Sequence, residues 1–479
     1  MDMEYDLVVI GAGPGGYEAA LEAAGTYGMK TALVEKEKLG GTCLNHGCIP
    51  TKSLLHSADL YRQMQECGRF GLDAGKVSFD WGAVQDRKDA VTQQLRSGIA
   101  AQMKQKKVGV LCGTGKILDP HTVEVSGLED GEKQILRTRF ILIATGSRSA
   151  VPPIKGADLE NVMTSDELLE KRELFDRLLI IGGGVIGVEF ASVFSALGVK
   201  VTILEALPRI IANMDKELSQ SLKMLLKKRD VDIHTGALVQ EIRRKEDGSG
   251  TLECIYSEKE KECIAQADGI LICTGRRPYT EGLFAKESHP GEGAGTEDGI
   301  CLPDMERGRI VTDMYGRTSI PGIYAIGDVT GGIMLAHAAT AQGLNAVAHM
   351  HSVMTGEAYK ETANLSIIPS CIYTDPEIAC TGMTQEQAKE AGIEAESHKA
   401  VTGANGKSVI SGQERGFVKV VYEKSTGRIL GAQMMCARAS DMISEFTQAI
   451  AVELTLEDMR RIIRPHPTFE EIITQAVSQ

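Results

Sequence analysis

The chain alternates short, almost purely apolar runs with glycine-rich breaks, and the alternation repeats. Tyr5 to Ile10 is an apolar run of strand length, followed by Gly11-Ala12-Gly13-Pro14-Gly15-Gly16 and a helical stretch from Tyr17 to Ala24. A second apolar run, Thr31 to Val34, then stops at Glu35. Short apolar runs bounded by glycine read as strands buried on both faces, so this stretch predicts a parallel βαβ unit. The same order returns later. Leu178 to Ile181 predicts a strand, Gly182-Gly183-Gly184-Val185-Ile186-Gly187 a loop, Val188 to Leu197 a helix and Val199 to Leu204 a strand closed by Glu205. Two further apolar runs, Ile141 to Ile143 and Ile270 to Ile272, lead into Thr145-Gly146-Ser147 and Thr274-Gly275-Arg276-Arg277-Pro278. Gly322 to Gly327 predicts a strand that stops at Asp328. Beyond about Leu365 the pattern changes. Thr374-Asp375-Pro376-Glu377 reads as a turn, Phe417–Tyr422 and Ile429–Gln433 as antiparallel strands, and Ala439–Val452 and Thr455–Arg461 as amphipathic helices.

Each glycine loop sits between a strand and a helix, with an acid at the end of the next strand, which is the dinucleotide-binding arrangement. Glycine permits a tight turn and close backbone approach, and the helix N-terminus faces a pyrophosphate. Glu35 would accept hydrogen bonds from a ribose diol. At Glu205 an acid in place of an arginine favours NAD over NADP, because a 2′-phosphate would meet negative charge; Arg209 is the neighbouring charge that opposes this. The Thr-Gly strand ends suit chain crossings between domains beside a nucleotide, and Asp328 suits the ribityl chain of a flavin. The expected fold is α/β, with two Rossmann-like dinucleotide-binding domains and a C-terminal α+β domain. The expected divisions are 1–147 and 276–350 for the FAD domain, 148–275 for the NAD domain, and 351–479 for an interface domain without a cofactor loop.

At 479 residues the chain exceeds one hydrophobic core and should form about three domains. A formal charge of −13 argues against nucleic acid or an anionic membrane as the main partner. No run of about 18 apolar residues exists to span a bilayer, and the acidic start Met1-Asp2-Met3-Glu4 does not read as a signal peptide. The 11 cysteines then suggest a reducing, cytoplasmic compartment, where structural disulfides are rare. Nine of them (Cys67, Cys112, Cys254, Cys263, Cys273, Cys301, Cys371, Cys380 and Cys436) are scattered and read as buried apolar groups or surface thiols, and no spacing suits zinc. Cys43 and Cys48 differ. They flank Leu44-Asn45-His46-Gly47 in a Gly-rich loop running into a helix, and can close a small reducible ring. A dithiol beside a nucleotide loop points to two-electron traffic between a cofactor and sulfur.

Gly41-Thr42-Cys43-Leu44-Asn45-His46-Gly47-Cys48-Ile49-Pro50, Thr51-Lys52, Thr274-Gly275-Arg276-Arg277-Pro278, Gly327-Asp328, Met334-Leu335-Ala336-His337 and His466-Pro467-Thr468 occur in one order along nearly the whole chain. In that order they resemble the pyridine nucleotide–disulfide oxidoreductases. The resemblance implies FAD on the first fingerprint and NAD on the second. It places Cys48 against the flavin as charge-transfer thiolate and Cys43 outward as the sulfur that exchanges with substrate. Lys52 should lie near the flavin N5 edge, paired with Glu189. Gly11, Gly13, Pro14, Gly15, Gly16, Glu35, Lys36, Gly41, Thr42, Cys43, Lys52, Gly115, Thr145, Gly146, Ser147, Gly327, Asp328, Met334, Leu335, Ala336 and His337 match FAD-lining positions. Gly182, Gly184, Val185, Ile186, Gly187, Glu189, Glu205, Val239 and Gly275 match positions along NAD. His466 and Glu471 resemble the family's proton-accepting histidine and its orienting carboxylate. In the family that histidine comes from the neighbouring subunit, which implies a homodimer.

The implied activity is FAD-dependent oxidation of dihydrolipoamide, carried on a separate lipoyl-bearing protein of a 2-oxoacid dehydrogenase or glycine cleavage system, with NAD+ reduced. The alternatives are a reductase of another disulfide or of mercuric ion, and, in another class, a flavoprotein scaffold or redox sensor. Mercury enzymes typically add a C-terminal cysteine pair, whereas this sequence finishes Ala476-Val477-Ser478-Gln479. Two residues depart from the family pattern. Arg464 stands where many relatives carry a second histidine, and His46 is an unusual spacer that reads as solvent-exposed.

Overall fold

The computed structural model describes residues 4–127, 131–285, 302–413 and 415–478, so Cys301 lies outside the described residues. They form two compact parts: Met1–Pro50, Asp86–Ala150 and Gly275–Leu365 in one, and Thr51–Gln85, Val151–Thr274 and Ser366–Gln479 in the other.

The first part is built on a seven-stranded sheet. Tyr5–Ile10 is its centre, parallel to Thr31–Glu35 on one side and to Gln134–Ile143 on the other, with Leu7 opposite both Thr31 and Phe140. Gly109–Cys112 continues the parallel edge, Ile323–Ala325 pairs in parallel with Gln134–Ile143, and Thr122–Ser126 and Thr114–Asp119 add antiparallel strands. Leu7, Val8, Val9 and Ile141 to Ile143 are fully buried. Covering both faces of a parallel sheet is what produces such unbroken apolar runs.

The second part holds a five-stranded parallel sheet in the order Asp232–Thr235, Lys200–Glu205, Arg177–Ile181, Gly269–Ile272, Val162–Met163. A three-stranded antiparallel sheet, Ala237–Arg244, Leu252–Glu258 and Lys261–Ala267, follows it. A five-stranded antiparallel sheet contains Ser370–Ile372, Glu377–Gly382, Ile429–Cys436, Phe417–Glu423 and Ala395–Val401. Ala439–Ala451, Leu456–Arg460 and Glu471–Val477 are helices, and Phe446, Met459, Ile473 and Ala476 join one core cluster with Val418, Val420 and Met434. Two nucleotide-type parallel sheets and an α+β region bear out the expected fold class.

Several expectations need correction. The loop helices start at Pro14 and Val185, earlier than Tyr17 and Val188, because the last loop residues already have helical backbone. Pro14 suits that first turn, where its missing N–H costs nothing. Asp328 does not end a strand: the strand stops at Ala325 and Asp328 lies in a 3₁₀ turn, Gly327–Thr330. Glu377 opens a strand instead of closing a turn. Residues 51–85 belong to the second part, where Leu54, Leu55, Ala58 and Trp81 join the cluster of Val188, Phe190 and Phe194. An amphipathic helix advertises an apolar face without naming its partner.

Candidate active site

In the first nucleotide fold Gly11, Gly15 and Gly16 leave no room for side chains. A Cβ on Gly11 would lie 2.4 Å from the Ala144 carbonyl oxygen, and one on Gly16 would lie 1.9 Å from that of Gly11. Gly41, with φ +56°, approaches Gly13 so closely that a Cβ would sit 2.6 Å from the Gly13 Cα. The helix Pro14–Gly25 has no side-chain cap, so its N-terminal N–H groups face the loop. Glu35 is fixed at the strand end: one carboxylate oxygen accepts the Ala12 N–H at 2.7 Å, the other the Glu37 N–H at 2.9 Å.

The second fold repeats this to the residue. The Glu205 carboxylate accepts from Gly183 N–H at 2.5 Å and from Leu207 N–H at 2.7 Å, and Gly184 leaves the helix Val185–Ala196 without a side-chain cap. Gly187 packs on Cys273, whose thiol burial, then the charge of Glu205, pushes up. Arg209 is turned to the Ala212 carbonyl at 2.6 Å. Gly275 has φ +138°, and Val239 is half-buried in the three-stranded sheet. Both loops fit a dinucleotide: close backbone, helix N-termini without a side-chain cap, and a carboxylate held at the strand end.

Ser147 joins two other residues of the first part. Its hydroxyl donates to Asp328 Oδ2 at 2.5 Å and accepts Arg276 Nε at 2.8 Å, while Arg276 Nη2 donates to the Ser147 carbonyl. Thr145 Oγ1 donates to the Tyr279 carbonyl at 2.6 Å, the Tyr279 N–H donates to the Gly146 carbonyl, and Lys36 Nζ stands 4.2 Å from the Tyr279 ring centroid. Gly115 is packed on Ile10 and Val34. Met334 and Leu335 lead into the helix Ala336–Thr355, with His337 exposed in its first turn. Gly327 donates its N–H to Gln342 Oε1 at 2.7 Å. Arg276, Tyr279 and Gln342 were not singled out from the sequence as contacts here; only their nearness to the Thr-Gly and Gly-Asp motifs hinted at them.

Cys43 lies in the short helix Gly41–Asn45 and Cys48 opens the helix Cys48–Gln65. Cys43 is half-buried and Cys48 exposed. Gly47 is required between them, since a Cβ would fall 2.9 Å from the Thr42 carbonyl oxygen and 3.3 Å from the Cys43 Cα. Asn45 ties the loop: its Nδ2 donates to the Leu39 and Gly41 carbonyls, and its Oδ1 accepts from Arg96 at 2.9 Å. His46 is half-buried at the helix C-cap, its N–H donating to the Thr42 carbonyl, so it is not the exposed spacer expected. Other cysteines are held back from thiolate chemistry: burial pushes the Cys254, Cys371 and Cys436 thiols up to about 12.

In the second part, Lys52 Nζ meets Glu189 Oε2 at 2.8 Å. Glu189 is buried; its other oxygen accepts the Tyr373 N–H at 3.0 Å, and Lys52 lies 4.7 Å from the Tyr373 ring centroid. Tyr373 is a further residue that spacing could not have revealed. In the same part His466 Nδ1 is 2.9 Å from Glu471 Oε1, and Glu471 Oε2 accepts the Thr468 N–H at 2.9 Å. The Thr468 amide, then the His466 ring, holds the Glu471 carboxyl below its ordinary range. An ionised acceptor at Nδ1 selects the tautomer with its proton there and leaves Nε2 as the basic nitrogen. His466 is 80% exposed, so Nε2 can reach a partner outside its own loop.

Among the described residues no three or more His, Cys, Asp or Glu side chains form a metal-holding group, and no helix is long and apolar enough to cross a membrane.

This geometry has counterparts. The chain is 38% identical to a dihydrolipoyl dehydrogenase of Bacillus subtilis, over 99% of this chain and 98% of that one. It is 36% identical to a mitochondrial dihydrolipoyl dehydrogenase of Dictyostelium discoideum, over 99% and 93%. Among solved structures, LpdA from Mycobacterium tuberculosis superposes with a TM-score of 0.86 at 25% identity, covering 98% of this chain and 99% of that one. The Cu(II) complex of RclA, an HOCl-induced flavoprotein disulfide reductase from Escherichia coli, superposes with a TM-score of 0.82 at 29% identity, covering 100% and 99%. Residues 368–477 match the dimerisation domain of the pyridine nucleotide-disulphide oxidoreductases. Because residues 5–343 match the same family's main domain, with both glycine loops and the dithiol inside the match, the chain belongs to the pyridine nucleotide-disulphide oxidoreductases.

Proposed function

We propose that the chain oxidises protein-bound dihydrolipoamide to lipoamide and reduces NAD+, as a homodimer holding FAD. The observation that carries this reading is the His466–Glu471 contact with its Thr468 anchor, a base built for a thiol substrate. The dithiol substrate reacts as a thiolate, so one proton passes to His466 Nε2, and Glu471 offsets the charge that develops. That thiolate attacks Cys43 Sγ, the Cys43–Cys48 bond breaks, and Cys48 leaves as a thiolate. The second substrate thiol then displaces Cys43 from the mixed disulfide and passes its proton to the departing Cys43 sulfur, releasing lipoamide. The Gly11–Gly16 loop would hold FAD and the Gly182–Gly187 loop NAD+; when bound, the flavin would supply two-electron redox chemistry between the Cys43–Cys48 dithiol and the nicotinamide. The net change is dihydrolipoamide and NAD+ to lipoamide, NADH and a proton, and dithiol potentials of about −200 to −300 mV permit either direction.

Glu35 would bind the FAD ribose, and Ser147 and Asp328 the flavin side chain. Lys52, paired with Glu189, would supply positive charge to the flavin. Glu205 favours NAD over NADP, and the engagement of Arg209 with a carbonyl supports that choice. In this reading His466 acts on the dithiol of the other subunit. The lipoyl group arrives on a separate protein of a 2-oxoacid dehydrogenase or glycine cleavage system. A second reading, reduction of a thiophilic metal ion by the same dithiol, draws support from the Cu(II) complex of RclA. The test is a substrate panel: dihydrolipoamide with NAD+, glutathione disulfide with NADPH, and Cu(II) or Hg(II) with NADH. Fast NAD+ reduction by dihydrolipoamide alone is expected. Its failure, with metal-dependent NADH oxidation intact, would put the second reading first.

A further inference from the structure

His466 is carried by residues 461–470, which contain no helix or strand, between the helices Leu456–Arg460 and Glu471–Val477. Such a segment can hold a base in one orientation only if something beneath pins it. The flanking Ile463 is 95% exposed and supplies no anchor. The Arg464 side chain, only 4% exposed, is the buried one. Its Nε and Nη2 face the two carboxylate oxygens of Glu445 as a fork. Its Nη1 donates to Thr474 Oγ1 at 2.9 Å and lies 3.4 Å from the Met459 and Ile462 carbonyls. One guanidinium thereby joins the helix Ala439–Ala451, through Glu445, to both helices that bound the loop. Thr474 lies on the helix that also carries Glu471.

We infer that Arg464 is a positioning residue for the base: it fixes the His466 backbone and the Glu471 helix to one support, so that the Nδ1–Oε1 contact is preformed. This rests on the reading of His466 as the proton acceptor. The residue type matters, because a planar fork can hold a carboxylate with two donors while a third reaches sideways, and a lysine ammonium cannot keep that geometry.

The test uses the full-length flavoprotein with Arg464→Met, Arg464→Lys and the neutralised pair Arg464→Met/Glu445→Leu. NADH-dependent reduction of an artificial quinone, which does not require the base, should stay near wild type in each. Dihydrolipoamide turnover should fall at least about tenfold in Arg464→Met, in kcat more than in KM, with the acid limb of its pH profile displaced. Arg464→Lys should fall between the two. Amide exchange of a peptide covering residues 461–470 should quicken about tenfold, as the Thr468 N–H loses its fixed acceptor. Should Arg464→Met fail to fold, the neutralised pair, which leaves no unpaired buried charge, gives the same readouts. Unchanged loop exchange and an unchanged pH profile in either folded variant would overturn the inference. Wild-type protein that never oxidises dihydrolipoamide would instead sink the proposed function, and loop exchange alone would then decide for or against Arg464.

Discussion

Lys52 and Glu189, 137 residues apart in the chain, share a 2.8 Å ion pair in which the Glu189 side chain is 4% exposed and that of Lys52 28%. The second Glu189 oxygen holds the Tyr373 amide, so one buried carboxylate serves a charge and a backbone donor at once. Glu189→Leu should therefore cost about 2–3 kcal/mol, leaving Lys52 without its counter-charge and the Tyr373 N–H without an acceptor. Glu189→Gln keeps an acceptor for the amide and should cost less. Calorimetric melting temperatures in the order wild type, Gln, Leu are expected; an equal loss in both variants would show that the acceptor for the Tyr373 amide contributes nothing and that the charge accounts for the whole effect.

That pair also marks the border of what the sequence discloses. Glu35 and Glu205 were readable because strand, glycine loop, helix and acid follow one another locally, and each acid caps its own loop. Cys43, Gly47 and Cys48 were readable for the same reason. Tyr373, Gln342 and Tyr279 were not, because their contacts are set by how distant strand ends converge. The helix from Cys48 could be anticipated, yet nothing local said that Leu54 and Leu55 would pack with Val188 and Phe190. Pairing Lys52 with Glu189 came from family resemblance, and no spacing rule would have produced it. Arg464 looked like a departure from a pattern; only its burial gives it a task.

In the proposed reaction Glu205 would set the nucleotide preference. Its carboxylate stands at the end of the strand Lys200–Glu205, and both of its oxygens are engaged by backbone N–H groups. Glu205→Ser removes the charge and shortens the side chain. The ratio of kcat/KM for NAD+ over NADP+ should fall by about 10- to 100-fold, equivalent to about 1.4–2.8 kcal/mol. Steady-state kinetics with both nucleotides measures it. A ratio unchanged within a factor of two would move the source of specificity elsewhere in the loop.

Asp59 gives stability a pH dependence. Burial, then the charge of Asp375, pushes its carboxyl up to about 6 from 3.8, and Arg62 and Arg229 only partly oppose this. Asp375 itself is held by Arg62 and Arg229, the latter at 2.9 Å. Between pH 4 and pH 6 the folded state keeps a proton that the unfolded state has released, so stability falls as pH rises through that window and is constant above it. Asp59→Asn should match wild type near pH 4 and exceed it increasingly up to pH 6. The side chain is 34% exposed, so screening limits the gain to on the order of 1 kcal/mol. Melting temperatures of both proteins from pH 4 to 7 test this, and a flat difference rules it out.

The exposed Nε2 face of His466 and its fixed Glu471 partner make a prediction about subunits. His466→Gln removes the base and should lower dihydrolipoamide turnover by about 10²- to 10⁴-fold, while quinone reduction by NADH persists. Cys43→Ala should abolish dithiol turnover for a different reason, the missing exchange sulfur. If each active site takes its dithiol from one chain and its base from the other, a dimer made of one Cys43→Ala and one His466→Gln chain contains one site with both defects and one with neither. Random mixing places half of the chains in such dimers, so activity should return to roughly a quarter of wild type from two nearly inactive proteins. Subunit exchange is verified by native mass spectrometry of chains of different mass. Full exchange with no recovered turnover would mean that the base and the dithiol act within one chain.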